Sequence, residues 1–265
     1  MRLLFLLGFL AIPFTSIGAQ PVSDAASVMA CMRDNLPRRL EVEEFVVLSS
    51  SQDGARETLG GEIFFTRERM NGDIGRARAM MRITQPAALR NSAYLILETD
   101  DYLRDGMFVY LPAVARVRRV SGEIADGRLF GTDITYYDFK QIRSAFGDMN
   151  AEYVGMSSTQ GRPVHTLKLS PDEQVNAGYD HLIAQVDSHT CLPLSLSFYQ
   201  QGQLIKEASV PANTIVADGD RWYPTEFTLR DLINGSQSTL RTIGFRSSEQ
   251  LPERLFHPAS FYRVH

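Results

Sequence analysis

Short β-forming runs separated by tight turns fill this chain from Pro37 onward, and that spacing constrains the fold more than any other feature. "RLEVEEFVVLSS" is followed by Gln52-Asp53-Gly54, "ETLGGEIFFTRERM" by Asn71-Gly72, "AEYVGMSST" by Gln160-Gly161, and "DRWYPTEFTLRDL" by Asn234-Gly235. Asn-Gly and related pairs accept the positive φ that short hairpin turns require. Such turns join antiparallel neighbours, because parallel strands need long crossovers. "YDHLIAQVDS", "CLPLSLSFYQQ" and "QLIKEASVP" read as a three-stranded meander. About eleven or twelve strand candidates follow from these signals. An antiparallel sheet of that width must curl, close, or have a face covered.

Two stretches break the pattern. Residues 23–35 predict a helix, with Ser23 as cap, Pro37 as stop, and Ala25, Val28, Met29 and Met32 on one face. Residues 131–148 turn helical in their later part, where Phe139, Ile142, Arg143 and Phe146 fall on related faces. Two helices are too few to cover a flat sheet. The expected fold is therefore mainly β with a few helices: a curved antiparallel sheet forming an incomplete barrel, with the helices over its concave side. Phe64-Phe65, Met80-Met81, Tyr94 to Leu97 and Met107 to Leu111 are consecutive apolar runs. A strand with one wet face should alternate, so these strands either sit in a two-sided core or border an apolar cavity.

The N-terminus predicts a compartment. "MRLLFLLGFLAIPFTSIGAQ" has one early charge, a short apolar run and small residues Gly18 and Ala19, the layout of a secretory signal peptide spanning residues 1–19. The apolar run is shorter than the roughly 20 residues that span a bilayer. The expectation is an exported, periplasmic chain whose residues 20–265 form a single domain and do not cross the membrane. The formal net charge of −4 gives no reason to expect nucleic acid. Cys31 and Cys191 are the only cysteines. In an exported chain a lone pair predicts one disulfide; the alternative is two buried thiols. Neither has the neighbouring ligands that a metal site needs.

The search for catalytic chemistry yields nothing specific. The five histidines are scattered, without His-Glu-x-x-His spacing, and the Gly-x-Ser-x-Gly nucleophile elbow is absent. No catalytic residue, metal or cofactor is assigned. One charged segment stands out. "FVYLPAVARVRRVSG" places Arg116, Arg118 and Arg119 on a strand that follows a proline, and "GTDITYYDF" brings Asp133, Tyr136 and Asp138 soon after. Asp133 and Asp138 are natural ion-pair partners for the arginines. The alternative is docking to a membrane protein or an anionic head group.

These same residues carry a resemblance. Tyr110-Leu111-Pro112, the Arg118-Arg119 pair, and Gly131-Thr132-Asp133 with Tyr136 and Asp138 resemble motifs of the bacterial outer-membrane lipoprotein-sorting family, the LolA-like proteins. "CLPLSLSFYQQGQLIK", "DRWYPTEFTLRD" and "LPERLFHPASFYR" extend the match in order over most of the chain, with "FHPASFYR" departing from the family's usual ending. The resemblance implies a half-barrel with a helical lid over an apolar cavity. It implies a periplasmic carrier that shields the acyl chain of a lipoprotein or another lipid, without covalent catalysis. It also implies an alternative, an accessory or sensor module bound to a transporter of the resistance-nodulation-division (RND) type or to an envelope regulator. On this reading Val28, Met29, Met32, Phe139, Ile142 and Phe146 line the lid side of the cavity. Phe65, Met81, Leu97, Phe108 and Tyr110 face them from the sheet.

Overall fold

The computed structural model describes residues 24–67, 76–99, 105–173, 175, 177–248 and 252–263. The signal-peptide segment, Ser23 and the Asn71-Gly72 turn lie outside these residues. Helix α1 spans Ala25–Asp34, and its cap is Asp24, whose carboxylate accepts the Ser27 N–H at 2.7 Å. The chain then runs through β1 (Leu40–Ser50), β2 (Arg56–Thr66), β3 (Arg78–Gln85), β4 (Ala93–Leu97), β5 (Gly106–Leu111) and β6 (Arg116–Arg119). Each pairs antiparallel with the next.

Helix α2 (Tyr136–Arg143) follows. Its start is a capping box: the Thr135 hydroxyl accepts the Asp138 N–H and the Asp138 carboxylate accepts the Thr135 N–H, each at 3.0 Å. A second meander comprises β7 (Asn150–Thr159), β8 (Arg162–Ser170), β9 (His181–Asp187), β10 (Pro193–Gln200) and β11 (Gln203–Ser209). A detached hairpin, β12 (Ile215–Asp218) with β13 (Arg221–Pro224), precedes β14 (Glu226–Asp231) and β15 (Ser236–Ser248).

All but the detached hairpin form one thirteen-stranded sheet in the order β6-β5-β4-β3-β2-β1-β15-β14-β11-β10-β9-β8-β7. The two meanders meet where β15 lies against β1, from Leu40 opposite Ser248 to Ser50 opposite Gln237. The sheet curls without closing, so β6 and β7 remain as free edges. The fold is the expected one: mainly β, a curved antiparallel half-barrel with helices on one face. One sequence expectation needs dividing. "DRWYPTEFTLRDL" is not a single strand: it breaks at Thr225 into β13 and β14, and only β14 joins the main sheet.

Side-chain alternation sorts the core into two layers. Phe45, Val47, Ile63, Phe65, Met81, Tyr94, Ile96 and Val109 point to the face where α1 and α2 pack. Leu40, Val42, Phe64, Met80 and Leu95 point to the other face, where Leu255, Phe256, Phe261 and Tyr262 of the C-terminal segment cover them. This explains the consecutive apolar runs. Phe64-Phe65 and Met80-Met81 are buried on both faces: helices cover one, and the chain's own tail covers the other.

Helix α2 lies deep within the curl, and Tyr137, Asp138, Phe139, Lys140 and Gln141 are all buried. Its charges are paired in three directions. Asp138 accepts Lys206 Nζ of β11 at 2.6 Å, Lys140 meets Asp105 at 2.8 Å and also Asp148, and Arg143 meets Glu43 of β1 at 2.9 Å. Buried charges persist only when paired, so these contacts specify where α2 sits rather than adding much net stability.

Candidate ligand cavity

Between the inner face of the sheet, the two helices and the β12–β13 hairpin lies a cavity of about 190 Å³. Its floor is Glu43, Phe65, Leu196, Phe227 and Leu240, one or more from each of β1, β2, β10, β14 and β15. Its roof is Met32 of α1, Leu36 just beyond that helix, and Phe139, Ile142, Arg143 and Phe146 from α2 and the turn after it. Trp222 and Tyr223 of β13 form a side wall with Phe245. The Tyr223 and Phe245 rings meet edge-on at 4.5 Å.

The walls are held by a few polar contacts. Asn35, the residue after α1, donates from Nδ2 to the Thr190 carbonyl at 2.7 Å and accepts the Trp222 N–H at 2.9 Å. One side chain thus ties the helix end to the β9–β10 turn and to the hairpin. Arg221 pairs with Glu41 at the same border. Burial pushes the Glu41 carboxyl above its ordinary range, and the Arg221 charge only partly opposes this. Cys31 and Cys191 form a disulfide with Cα atoms 5.8 Å apart, and Cys191 borders the cavity. Arg143 stacks over the Phe139 ring at 5.2 Å, and its Nε has no hydrogen-bond acceptor.

The residues singled out from the sequence divide. Met32, Phe65, Phe139, Ile142 and Phe146 border the cavity. Val28, Met29 and Met81 belong to the same inner layer but not to its wall. Leu97, Phe108 and Tyr110 are a correction: they lie on the opposite face, with Tyr110 stacked on Tyr262 at 4.2 Å. On β4 and β5 the inward residues are instead Tyr94, Ile96, Met107, Val109 and Leu111. A strand has period two, so a choice displaced by one residue lands on the wrong face. Leu196, Trp222, Tyr223, Phe227, Leu240 and Phe245 were missed. They come from the second half of the chain and meet the helices only because β15 docks on β1.

The polar motif also rearranges. Asp133 accepts from Arg128 at 2.8 Å and from Ser236 and Ser238 at 2.5 and 2.7 Å, which pins its loop to β15. Asp138 pairs with Lys206, whose ammonium also sits over the Phe198 ring at 4.9 Å. Neither pairs with Arg116, Arg118 or Arg119, as the sequence suggested. The intervening turns carry both aspartates away from β6 toward the far half of the sheet. Tyr136 accepts the Tyr94 hydroxyl on its backbone carbonyl at 3.0 Å.

A second cleft, about 760 Å³, is lined by Arg33, Arg67, Glu98, Asp148 and other polar residues at the C-terminal end of α1. It is larger but polar, and Arg33 is already paired with Glu98 at 3.2 Å. An apolar ligand gains nothing there. Among the described residues no group of His, Cys, Asp and Glu is placed to hold a metal ion, and no helix is long and apolar enough to cross a membrane.

This unclosed, curved antiparallel sheet with its helices is shared with solved LolA-like structures. A LolA superfamily protein from Nitrosomonas europaea is similar at TM-score 0.69 and 18% identity, over 89% of this chain and 98% of its own. An equally extensive match is a domain from Vibrio parahaemolyticus assigned to outer membrane lipoprotein sorting, with TM-score 0.75 and 19% identity over 90% of this chain and 97% of that one. A DUF1329 family protein from Desulfovibrio piger reaches TM-score 0.77 at 20% identity, covering 89% and 97%. A search of curated proteins by sequence finds no match. A family model described as "Uncharacterized protein"-like matches residues 75–263, and the chain belongs to that family, with the LolA-like fold.

Proposed function

We propose that this protein is a periplasmic carrier, exported by its N-terminal segment, that holds the acyl chain of a lipoprotein or another lipid and releases it unchanged. The observation that carries this reading is the cavity between the half-barrel and its helices, lined mainly by apolar side chains with the charged groups of Glu41, Glu43, Arg143 and Arg221 paired at its borders. The lipoprotein-sorting assignment of the Vibrio parahaemolyticus domain supports it. Each buried methylene contributes about 0.8 kcal/mol, so a chain of roughly fourteen carbons gains about 10 kcal/mol before ordering costs. That suffices for transport through water without covalent chemistry, and no enzymatic role is proposed.

The volume decides how loading must occur. An engineered cavity of about 150 Å³ takes one benzene ring. A cavity of about 190 Å³ therefore seats only a short length of chain. A full acyl chain requires the roof to move away from the floor. The natural boundary is the surface between α2 and β14–β15, where Phe227 and Ile142 are only half-buried.

The test is to purify the native protein from the periplasm and identify co-purified lipid by mass spectrometry, with uptake of a fluorescent fatty acid measured in parallel. Co-purified acyl lipid together with saturable uptake supports the carrier. Absence of both overturns it and leaves the accessory module on an RND-type transporter as the reading to pursue.

A further inference from the structure

Arg116, Arg118 and Arg119 remain without a role in the cavity. They occupy β6, the four-residue strand at one free edge of the sheet, and all three are exposed. Arg119 donates to the Asp105 carbonyl at 3.3 Å. Among the described residues none of the three forms an ion pair. Several strand arginines elsewhere sit on a carboxylate, among them Arg82, Arg162, Arg241 and Arg246, while Arg78 and Arg230 are isolated ones held by the Phe256 ring and by Gln237. Among the described strands only β6 gathers three unpaired arginines on four residues. Among the described residues the edge is therefore a local cluster of unpaired positive charge, with exposed Glu123 following in the next turn, on a chain whose formal net charge is −4.

Charge at a sheet edge is commonly a device against strand-to-strand association. That explanation does not account for the flanks. Val114, in the turn entering β6, is 47% exposed, and Ile124, in the turn leaving it, is 53% exposed. The other free edge also exposes aliphatics, Val154 and Met156 of β7 at 57% and 55%, but no arginine stands on that strand; of the two edges, only at β6 do exposed aliphatics and an arginine cluster occur together. Apolar side chains beside unpaired arginines have one natural counterpart, a surface with anionic groups outside and hydrocarbon just beneath. The aliphatics enter the interfacial layer while the guanidinium groups stay at phosphate level, where their forked donors match the oxygens.

We propose that the β6 edge, with Val114 and Ile124, is a docking surface for a membrane bearing anionic phospholipids. The surface is separate from the cavity walls and operates whether or not the cavity holds a chain. Docking through one edge would set the orientation in which the half-barrel meets the bilayer.

The experiment is sedimentation of the full purified chain with phosphatidylcholine vesicles containing or lacking 30% phosphatidylglycerol, at low salt and at high salt. The expected result is binding to the anionic vesicles alone, lost at high salt as the Debye length shrinks to about 3 Å near 1 M. Each basic side chain near an anionic surface contributes roughly fivefold, so R116Q/R118Q should bind about 25-fold more weakly. Both residues are exposed, so the variant should retain its circular dichroism and thermal midpoint. V114S/I124S should also weaken binding while leaving its salt dependence intact. R230Q, which removes an exposed arginine from β14, should bind like the parent. Equal sedimentation with neutral vesicles would overturn the proposal, as would unchanged binding by R116Q/R118Q or an equal loss in R230Q. Arginine-dependent capture of a polyglutamate peptide without vesicle binding would also overturn it, pointing instead to an acidic protein partner.

Discussion

Asp187, at the end of β9, shapes the turn that presents Cys191. Its Oδ1 accepts the Thr190 and His189 N–H groups at 2.7 and 2.9 Å, and Arg162 pairs with the same carboxylate. Burial alone would raise its pKa, but the Arg162 bond and then the two backbone bonds outweigh it and hold the carboxyl at about 2. An unfolded aspartate titrates near pH 3.9, so the folded state favours the ionised form by roughly 2 kcal/mol. That contribution is fully present above the unfolded pKa and is lost as pH falls from about 4 through 2. Urea unfolding should show Asp187→Asn weaker than the parent at pH 7, with the gap closing toward pH 2.5. A gap independent of pH would contradict the assignment. The cavity residues differ among themselves in the same practical way. Phe139 is 2% exposed and packs against Tyr94, so its replacement by Ala should cost about 3–5 kcal/mol of stability. Half-buried Ile142 borders the same cavity with less packing. Ile142→Ser should reduce fatty-acid uptake severalfold while moving stability by only about 1 kcal/mol. Parallel uptake and unfolding measurements on both variants check the contrast.

At the scale of elements, the placement of the helices decides what the sheet encloses. α1 is short and would be marginal alone. It is fastened by the Cys31–Cys191 bridge, by Asn35, and by Arg33, which donates to Glu98 and to the Ser144 carbonyl at 3.0 Å. The bridge closes a sequence separation of 160 residues, for which chain entropy gives on the order of 5 kcal/mol as an upper value. Reduction, or the pair Cys31→Ser/Cys191→Ser, should lower the thermal midpoint by several degrees and increase hydrogen exchange in 25–36 before the rest of the chain. Exchange rising first in the sheet would place the bridge's effect elsewhere. α2 is the opposite kind of element. It is fastened by ion pairs rather than a covalent link, and four of the buried side-chain atoms lacking a partner belong to it: Asp138 Oδ1, both amide atoms of Gln141, and Arg143 Nε. Unpartnered buried polar groups cost about 1–3 kcal/mol each, so this helix gives up less on moving than its burial suggests.

The whole molecule is a sheet whose two meanders are joined by a single long pairing, β1 against β15. The cavity straddles that seam, taking floor residues from both sides. A ligand that fills it should stabilise the complete domain, not one half. At a hundredfold excess over its dissociation constant, a ligand adds about 2.7 kcal/mol, and in a chain of this size that is a rise of roughly 5–10 °C. Differential scanning calorimetry with palmitate should show one cooperative transition moving upward. A shift confined to one of two resolved transitions would mean that the halves do not share the site.

The fold class was legible in the sequence because it rests on local chemistry. Turn pairs such as Gln160-Gly161 and Asn234-Gly235 dictate antiparallel neighbours, and helical spacing at Val28, Met32, Phe139 and Ile142 marks the two helices wherever the chain goes. The consecutive apolar runs were visible too, but their meaning was not. Whether Leu97, Phe108 and Tyr110 face a cavity or a covering depends on strand phase and on the C-terminal segment that packs over them, both set by contacts distant in sequence. The same holds for Asp133 and Asp138. The β6 arginines were the expected partners, yet Asp133 pairs with Arg128 five residues before it, and the remaining partners, Ser236, Ser238 and Lys206, come from far along the chain. Local propensities act over a few residues and are written in order. The site is built where β15 returns to β1 and a detached hairpin meets the end of a helix, and only tertiary packing brings those residues together.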